Sequence, residues 1–228
     1  MKILALIPAR GGSKRLPKKN TLLLGGKPLI NWSIDIVKNI PEICNILVST
    51  DDETVANIAK NSGALVPWLR PSYLSEDNSK SADVALHAIE WYERNFGFID
   101  GLLLLQPTSP FRTRKTILDG IEIFKLNPGD SVVAISPIKQ HPMWSVKIED
   151  NKVSPYLEYH GFGKRFQDLP TTYIINGCLY LISPKDLHLY KSFVNPNTRP
   201  LIISSRREDL DIDDQDDFNI AKYYVKNE

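Results

Sequence analysis

Short apolar runs alternate with segments of helical periodicity along most of this chain. That alternation constrains it to a mainly parallel sheet covered by helices on both faces. Lys2–Pro8 is β-rich and almost continuously apolar, as a strand buried on both faces should be. Pro28–Ile40 follows, with Leu29, Trp32, Ile36 and Ile40 near helical spacing. Asn45–Ser49 reads as a second strand, Asp52–Asn61 as a helix closed by Gly63, and Ser79–Asn95 as a longer helix with Val84, Ala88 and Trp91 on one stripe. Gly101–Leu105 and Ser131–Ser136 are further strands flanking a helix over Thr113–Leu126. Regularity breaks after Pro137. Residues 138–176 carry short alternating stretches (Trp144–Glu149, Lys152–Tyr159) and a charged loop over Gly161–Leu169. Gly177–Ser183 and Pro200–Ser204 resume as strands, and Asp213–Lys226 closes with a helix. The 228 residues suit one α/β domain over 1–228, with 138–190 a β-rich excursion from it. Ligands of such sheets sit beyond the carboxyl ends of the strands, so the loops there are where chemistry is to be sought.

Charge narrows the partners. With 28 Lys and Arg against 27 Asp and Glu, the formal charge of +1 provides no bulk field for nucleic acid or an anionic membrane, so any anion site must be local. The opening apolar run, Ile3–Ile7, is too short for a signal-peptide core or a membrane span. Cys44 and Cys178 lie far apart and read as reduced thiols, and the expected compartment is the cytoplasm.

The loop after the first strand concentrates positive charge. Pro8–Asn20 holds five cations in thirteen residues, with Gly11 and Gly12 adjacent and Ser13 beside them. The glycines permit positive φ and close approach of backbone N–H groups to an anion. Arg10 offers a planar fork to phosphate oxygens, while Lys14 and Lys19 act as point charges. Neither G-x-x-x-x-G-K-[ST] nor G-x-G-x-x-G is present, which argues against a Walker-type ATPase and a dinucleotide-dependent oxidoreductase. Further along, Gln106 leaves a Leu run into a loop stiffened by Pro107 and Pro110, and Ser109 or Thr113 suits the cap of the next helix. Ser79 and Ser81 offer a cap as well. Glu208–Asp217 packs seven carboxylates into ten residues. If Asp209–Asp213 is a strand, Asp209, Asp211 and Asp213 share one face, and carboxylates so crowded repel unless a cation binds. Asp213 or Asp214 also suits the start of the last helix. The four His residues do not cluster in sequence.

Six stations in order carry a resemblance: Pro8–Asn20; Ser49-Thr-Asp-Asp52; Arg70-Pro71 with Leu74 and Asp77; Leu105-Gln-Pro-Thr-Ser-Pro-Phe-Arg112; Asn176-Gly177 with Tyr180; and Asp211-Ile-Asp213. Together they resemble the acylneuraminate cytidylyltransferases, enzymes that make CMP-sialic acids and related CMP-nonulosonates. The resemblance implies a three-layer Rossmann-like nucleotidyltransferase fold. It also implies transfer of CMP from CTP to the 2-hydroxyl of a nonulosonic acid, with Mg²⁺ held by Asp211 and Asp213. On that pattern Arg10, Gly11, Gly12, Ser13, Lys14, Lys19 and Asn20 serve the nucleotide, Arg10 and Lys19 also the transition state, and Arg70 and Ser81 the cytosine. Gln106, Arg165, Asn176 and Tyr180 would meet the sugar acid, with Lys164 beside Arg165. Phe193 would come from the partner of a homodimer joined through 138–190. Arg112 reads as a surface residue. Where relatives carry cations this chain has Trp144 and Ile174-Ile175, which favours a modified acceptor of the legionaminate type at least as well as N-acetylneuraminate. A 3-deoxy-manno-octulosonate enzyme and a non-catalytic nucleotide-binding protein are the alternatives. Gly12-Ser13-Lys14 and Asn176-Gly177 speak against the first, and retention of Arg10, Asp211 and Asp213 against the second.

Overall fold

A computed structural model describes residues 1–227. The strands are β1 (Ile3–Pro8), β2 (Leu23–Leu24), β3 (Lys27–Pro28), β4 (Ile43–Ser49), β5 (Gly101–Leu104), β6 (Ser131–Pro137), β7 (Val146–Glu149), β8 (Lys152–Pro155), β9 (Tyr173–Ile182) and β10 (Thr198–Ile202). The helices are α1 (Leu29–Ile36), α2 (Glu53–Asn61), α3 (Ser81–Phe96), α4 (Arg114–Leu126), α5 (Pro184–Tyr190) and α6 (Gln215–Lys226). Six strands form one sheet in the order β10-β6-β9-β5-β1-β4. All neighbours run parallel except β9, which is antiparallel to both β5 and β6. Pro200 lies in edge strand β10, where a missing N–H is tolerated.

The period-two pattern of the strands builds the three layers. Ile3, Ala5 and Ile7 of β1 point into a core shared with α1, α2 and α4, while Leu4 and Leu6 point to the opposite core, under α3 and α5. Asp52 caps α2 by accepting from Val55 N, and Thr113 caps α4 from Thr116 N. Asp214 opens α6 in a capping box with Asp217. A third cluster, with Leu16, Phe111, Ile212 and Phe218, fastens α6 and the acidic segment beneath the first loop.

Several expectations shift. The helix expected to Ile40 ends at Ile36, and Asn39 turns the chain at φ 58°. α3 begins at Ser81 without a side-chain cap, and the Ser79 hydroxyl instead donates to Tyr73 O. Helix α5 had no strong periodicity to announce it. Glu208–Asp213 forms no strand. Ile212 is nonetheless fully buried between Asp211 and Asp213, and its N–H is taken by Thr108 O at 2.8 Å. β9 starts earlier than expected and carries a large bulge. Between Val133↔Tyr180 and Ile135↔Ile175 the pairing advances two residues on β6 and five on β9. Gly177 sits in that bulge at φ 78°, a conformation L side chains avoid.

Arg112, read from sequence as a surface residue, is 2% exposed. Its Nε donates to Cys178 O at 2.8 Å, Nη1 to Ser33 Oγ at 2.7 Å and Nη2 to Gln106 O at 2.6 Å. One guanidinium thus ties the β9 bulge, helix α1 and the loop after β5 together. Burial holds its pKa below the ordinary value. Replacing Arg112 by Ala strands three buried acceptors and is expected to lower unfolding free energy by about 2–4 kcal/mol in urea titrations. Arg112→Lys, lacking the planar fork, should recover only part. A loss below about 0.5 kcal/mol would show these bonds to be idle.

Candidate active site

The strand polarity brings the carboxyl ends of β1, β4 and β5 and the start of β9 to one rim. There a cavity of about 550 Å³ opens, lined by Arg10, Ser13, Lys14, Lys19, Asn20, Arg70, Ser81, Gln106, Asp211 and Asp213 among others. Its cations are already engaged. Arg10 Nη1 donates to Asp77 Oδ1 at 3.1 Å and Glu76 O at 3.2 Å, and Lys14 pairs with the same Asp77. Lys19 Nζ donates to Ile212 O at 2.8 Å and lies 3.4 Å from Asp213 Oδ1, while Arg15 takes Asp213 Oδ2 at 2.7 Å. Asn20, buried, donates to Arg10 O at 2.9 Å and so shapes the loop from within.

Arg70 is buried in the wall. Its Nε donates to Ser49 Oγ at 3.0 Å, and its Nη2 to Ser49 O. Burial lowers this guanidinium to about 10, with Asp51 pulling the other way. An arginine fixed in this way presents a rigid edge to whatever enters beside Ser81.

A second cavity of about 620 Å³ adjoins the first, lined by Gln106, Ile138, Lys139, Ile174, Ile175, Asn176, Gly177, Tyr180, Asp209 and Asp211 among others. Gln106 and Asp211 face both cavities, so they stand at the boundary. The β9 bulge positions this wall. A Cβ at Gly177 would stand 2.7 Å from Gln106 Oε1, so glycine is what lets the amide occupy its place. Asn176 donates to Ser136 Oγ at 2.7 Å and accepts from Cys178 N at 3.0 Å, locking the bulge.

Asp211 is a carboxylate held away from water beside another carboxylate. Burial raises its pKa, Asp213 raises it further, and a Thr108 hydrogen bond and Lys19 oppose. Its Oδ1 is buried with no hydrogen-bond partner. Among the described residues no three His, Cys, Asp or Glu side chains gather as a metal cage. The protein thus brings at most two carboxylates, Asp211 and Asp213, one with an orphaned oxygen. That donor set fits Mg²⁺, which takes one or two carboxylates and completes its shell with phosphate oxygens and water.

The structure brings together Arg10, Ser13, Lys14, Lys19, Asn20, Arg70, Ser81, Gln106, Asp211 and Asp213 around the first cavity, and Gln106, Asn176, Tyr180 and Asp211 around the second. Gly11 and Gly12 line neither, and neither adopts positive φ. The Gly11 N–H is spent on Asp51 Oδ1 at 2.8 Å, and a Cβ there would come within 2.9 Å of Asp52 Cβ, so its role is close packing of the loop on β4's end. Arg165 stands on an exposed turn, bonded to Asp168 at 2.9 Å, and Lys164 lies over the Tyr159 ring; neither lines a cavity at this rim. Phe193 is buried in its own chain, 5.5 Å ring to ring from Tyr180, and with Ser81, Gln106 and Ile175 it lines a third cavity of about 320 Å³. Asp209 joins Asp211 in the second cavity but, unlike Asp211 and Asp213, does not line the first. Lys139 went unnoticed in sequence, its only signal being a lone cation just past β6.

A family model described as cytidylyltransferase matches residues 4–142. The chain is 41% identical to the CMP-N,N'-diacetyllegionaminic acid synthase of Legionella pneumophila, over 97% of its own length and 95% of that protein's. It is 36% identical to an N-acylneuraminate cytidylyltransferase of Streptococcus agalactiae over 96% of the chain, but spans only 52% of that longer protein. It is 31% identical to a pseudaminic acid cytidylyltransferase of Campylobacter jejuni, covering 99% of the chain and 97% of the relative. Among solved structures, a CMP:2-keto-3-deoxy-manno-octonic acid synthetase complexed with CTP superposes with TM-score 0.73 at 16% identity, over 100% and 99% of the two chains. A 4-diphosphocytidyl-2C-methyl-D-erythritol synthase does so with TM-score 0.69 at 13% identity, over 98% and 99%. At such identities these structures speak for the fold alone.

Because Asp77 occupies both Arg10 and Lys14, a polyanion entering the first cavity must displace it. The Lys14 and Arg10 partners hold the Asp77 carboxyl below its usual range, so the latch is ionised at neutral pH and opens only as pH falls through that lowered value. These are exposed pairs, each of small net worth. Asp77→Asn is expected to tighten binding of inorganic triphosphate about two- to fivefold in calorimetry at pH 7. Weaker binding would instead make Asp77 part of the anion site.

Proposed function

Since the chain belongs to the cytidylyltransferase family, we propose that it transfers CMP from CTP to the 2-hydroxyl of a nonulosonic acid and releases pyrophosphate. The observation that carries this reading is the pair of adjoining cavities that share Gln106 and Asp211: one lined by cations, the other suited to an acceptor. CTP would enter the first, its triphosphate taking Arg10, Lys14 and Lys19 from their acidic partners and its base lying against Arg70 and Ser81. The acceptor would enter the second, between Gln106, Asn176 and Tyr180. The sugar oxygen attacks the α-phosphorus in line as the bond to the bridging oxygen of pyrophosphate breaks. Positioning and charge stabilisation supply most of the rate in such transfers. Arg10 and Lys19 meet the charge that builds on the leaving pyrophosphate. Asp211 and Asp213 would hold Mg²⁺, which when bound neutralises phosphate charge and acidifies the attacking hydroxyl. Among acceptors, the identity to the Legionella protein and the apolar Ile138, Ile174 and Ile175 wall favour a diacetyl-legionaminate-like acid.

The enzyme is read as cytoplasmic, in the compartment that supplies CTP; among the described residues no helix is long and apolar enough to cross a membrane. Homodimerisation through residues 138–190 is supported by apolar side chains that this segment leaves exposed: Val146, Ile148, Val153, Tyr156 and Tyr159. The doubly substituted Ile148→Asp, Val153→Asp chain is expected to sediment as a monomer where the native chain sediments as a dimer. A native monomer would end the dimer reading.

The function is tested by pyrophosphate release from CTP and Mg²⁺ with diacetyl-legionaminate, N-acetylneuraminate and 3-deoxy-manno-octulosonate side by side. Release with a nonulosonate, reduced at least about a hundredfold by Asp211→Asn and abolished by EDTA, is the expected result. Release only with the octulosonate, or with none despite CTP binding, would overturn the acceptor class.

A further inference from the structure

We infer that Lys139 is the residue that binds the acceptor's carboxylate in this chain, taking the place that sequence alone gave to Arg165. The inference rests on the nonulosonate reading above and specifies how that acceptor is held. In the ring form of a 2-keto acid, the attacking hydroxyl and the carboxylate share one carbon. The hydroxyl must reach the α-phosphorus at the boundary between the cavities, where Gln106 and Asp211 stand. The carboxylate then lies within a few ångströms of that boundary, on the side of the second cavity. Two aspartates, Asp209 and Asp211, already line that side. A third carboxylate beside them needs a cation, and Lys139 is the sole cationic side chain among the described residues lining this cavity.

Lys139 is placed for it. It follows β6 directly, two residues past Pro137, opposite the start of β9. Its Nζ lies 3.8 Å from Asp209 Oδ2, and the Asp209 side chain is itself only 17% exposed. That pair keeps the ammonium at the cavity's edge without saturating it, since a lysine has three donors. A sugar carboxylate can therefore be added to the pair, and the Lys139 side chain, 73% exposed, is free to swing toward it. Arg165 is bonded twice to Asp168, at 2.9 and 3.4 Å, on a turn that lines neither large cavity. The rest of the second cavity's wall near Lys139, Ile138 with Ile174 and Ile175, carries no side-chain charge, and the other nearby cation, Arg206, lines an adjoining cavity with Lys139 and Asp209 but not this one.

The test uses the full-length enzyme with CTP, Mg²⁺ and diacetyl-legionaminate or N-acetylneuraminate, whichever it turns over, and the methyl ester of the same sugar. Lys139→Met is expected to raise the acceptor KM about ten- to a hundredfold, leave the CTP affinity within about twofold, and erase the native preference for acid over ester. Lys139→Arg should restore most of the acid preference, which a merely structural role would not produce. An unchanged acceptor KM in Lys139→Met, with the loss and the altered acid-to-ester ratio appearing in Arg165→Gln, overturns the assignment while leaving the reaction standing. A native enzyme that binds CTP but turns over no nonulosonate overturns the acceptor reading and the assignment together.

Discussion

The rim of this protein is organised around a positive charge that never meets solvent. Arg112 is buried and bonded only to neutral acceptors, the carbonyls of Cys178 and Gln106 and the hydroxyl of Ser33. An ion so placed is costly unless every donor is directed at an acceptor of fixed position. The requirement works in reverse as well. Because the guanidinium is rigid and planar, it dictates how far the Gln106 loop stands from the β9 bulge, and how both stand from α1. The two cavities meet along that line. The boundary between them therefore rests on how a buried arginine is satisfied, while the exposed loops that carry most of the charge form the outer wall of the first cavity.

The second constraint is strand β9. An antiparallel strand between β5 and β6 interrupts an otherwise parallel sheet, and its start lies where the neighbouring parallel strands end. The bulge at Asn176-Gly177 then brings backbone toward Gln106, with Gly177 at a positive φ that L side chains avoid. The bulge residues Asn176 and Gly177 themselves line the second cavity. The bulge thus gives the sheet a second space beside the first, and Gln106 and Asp211 are the side chains that face both.

Much of this was legible in the sequence, where local signals were strong. The apolar runs gave the central strands, Thr113 and Asp52 marked helix starts, and the density of cations in Pro8–Asn20 identified the rim loop. Reading failed where tertiary context overrode local type. Arg112 follows two prolines and an aromatic in a polar loop, and nothing nearby reveals that three distant acceptors await it. The Gly11-Gly12 pair suggested an anion cradle by positive φ, but Gly11 is needed because Asp52 lies against it. Asp209, Asp211 and Asp213 alternate as a strand would, yet the chain stays outside the sheet, with Ile212 buried and Leu210 packed beside it, and Asp209 lines the second cavity without reaching the first. Arg165 falls in the motif order of the resemblance, and the turn that holds it pairs it with Asp168 three residues on.

A common logic links the charged groups that face the two cavities. Arg10 and Lys14 rest on Asp77, Arg15 and Lys19 on Asp213, and Lys139 on Asp209. Each cation is held by a nearby carboxylate, which accounts for a chain of near-zero net charge carrying a locally cationic rim. Binding of an anion at Asp77 or Asp213 then exchanges one partner for another, whereas at Lys139 a carboxylate joins the existing pair. The gain from each exchange is modest, because these pairs are largely exposed and water screens both states. Discrimination must therefore come from the number and placement of exchanges made at once. On the function proposed above, a triphosphate would engage both the Asp77 and the Asp213 groups, which line the same cavity. A sugar acid adds the Asp209 pair only if its carboxylate stands beside the reacting hydroxyl. Selectivity for a nucleoside triphosphate and a 2-keto acid is in this view a matter of geometry between three weak pairs, held in register by the buried arginine beneath them.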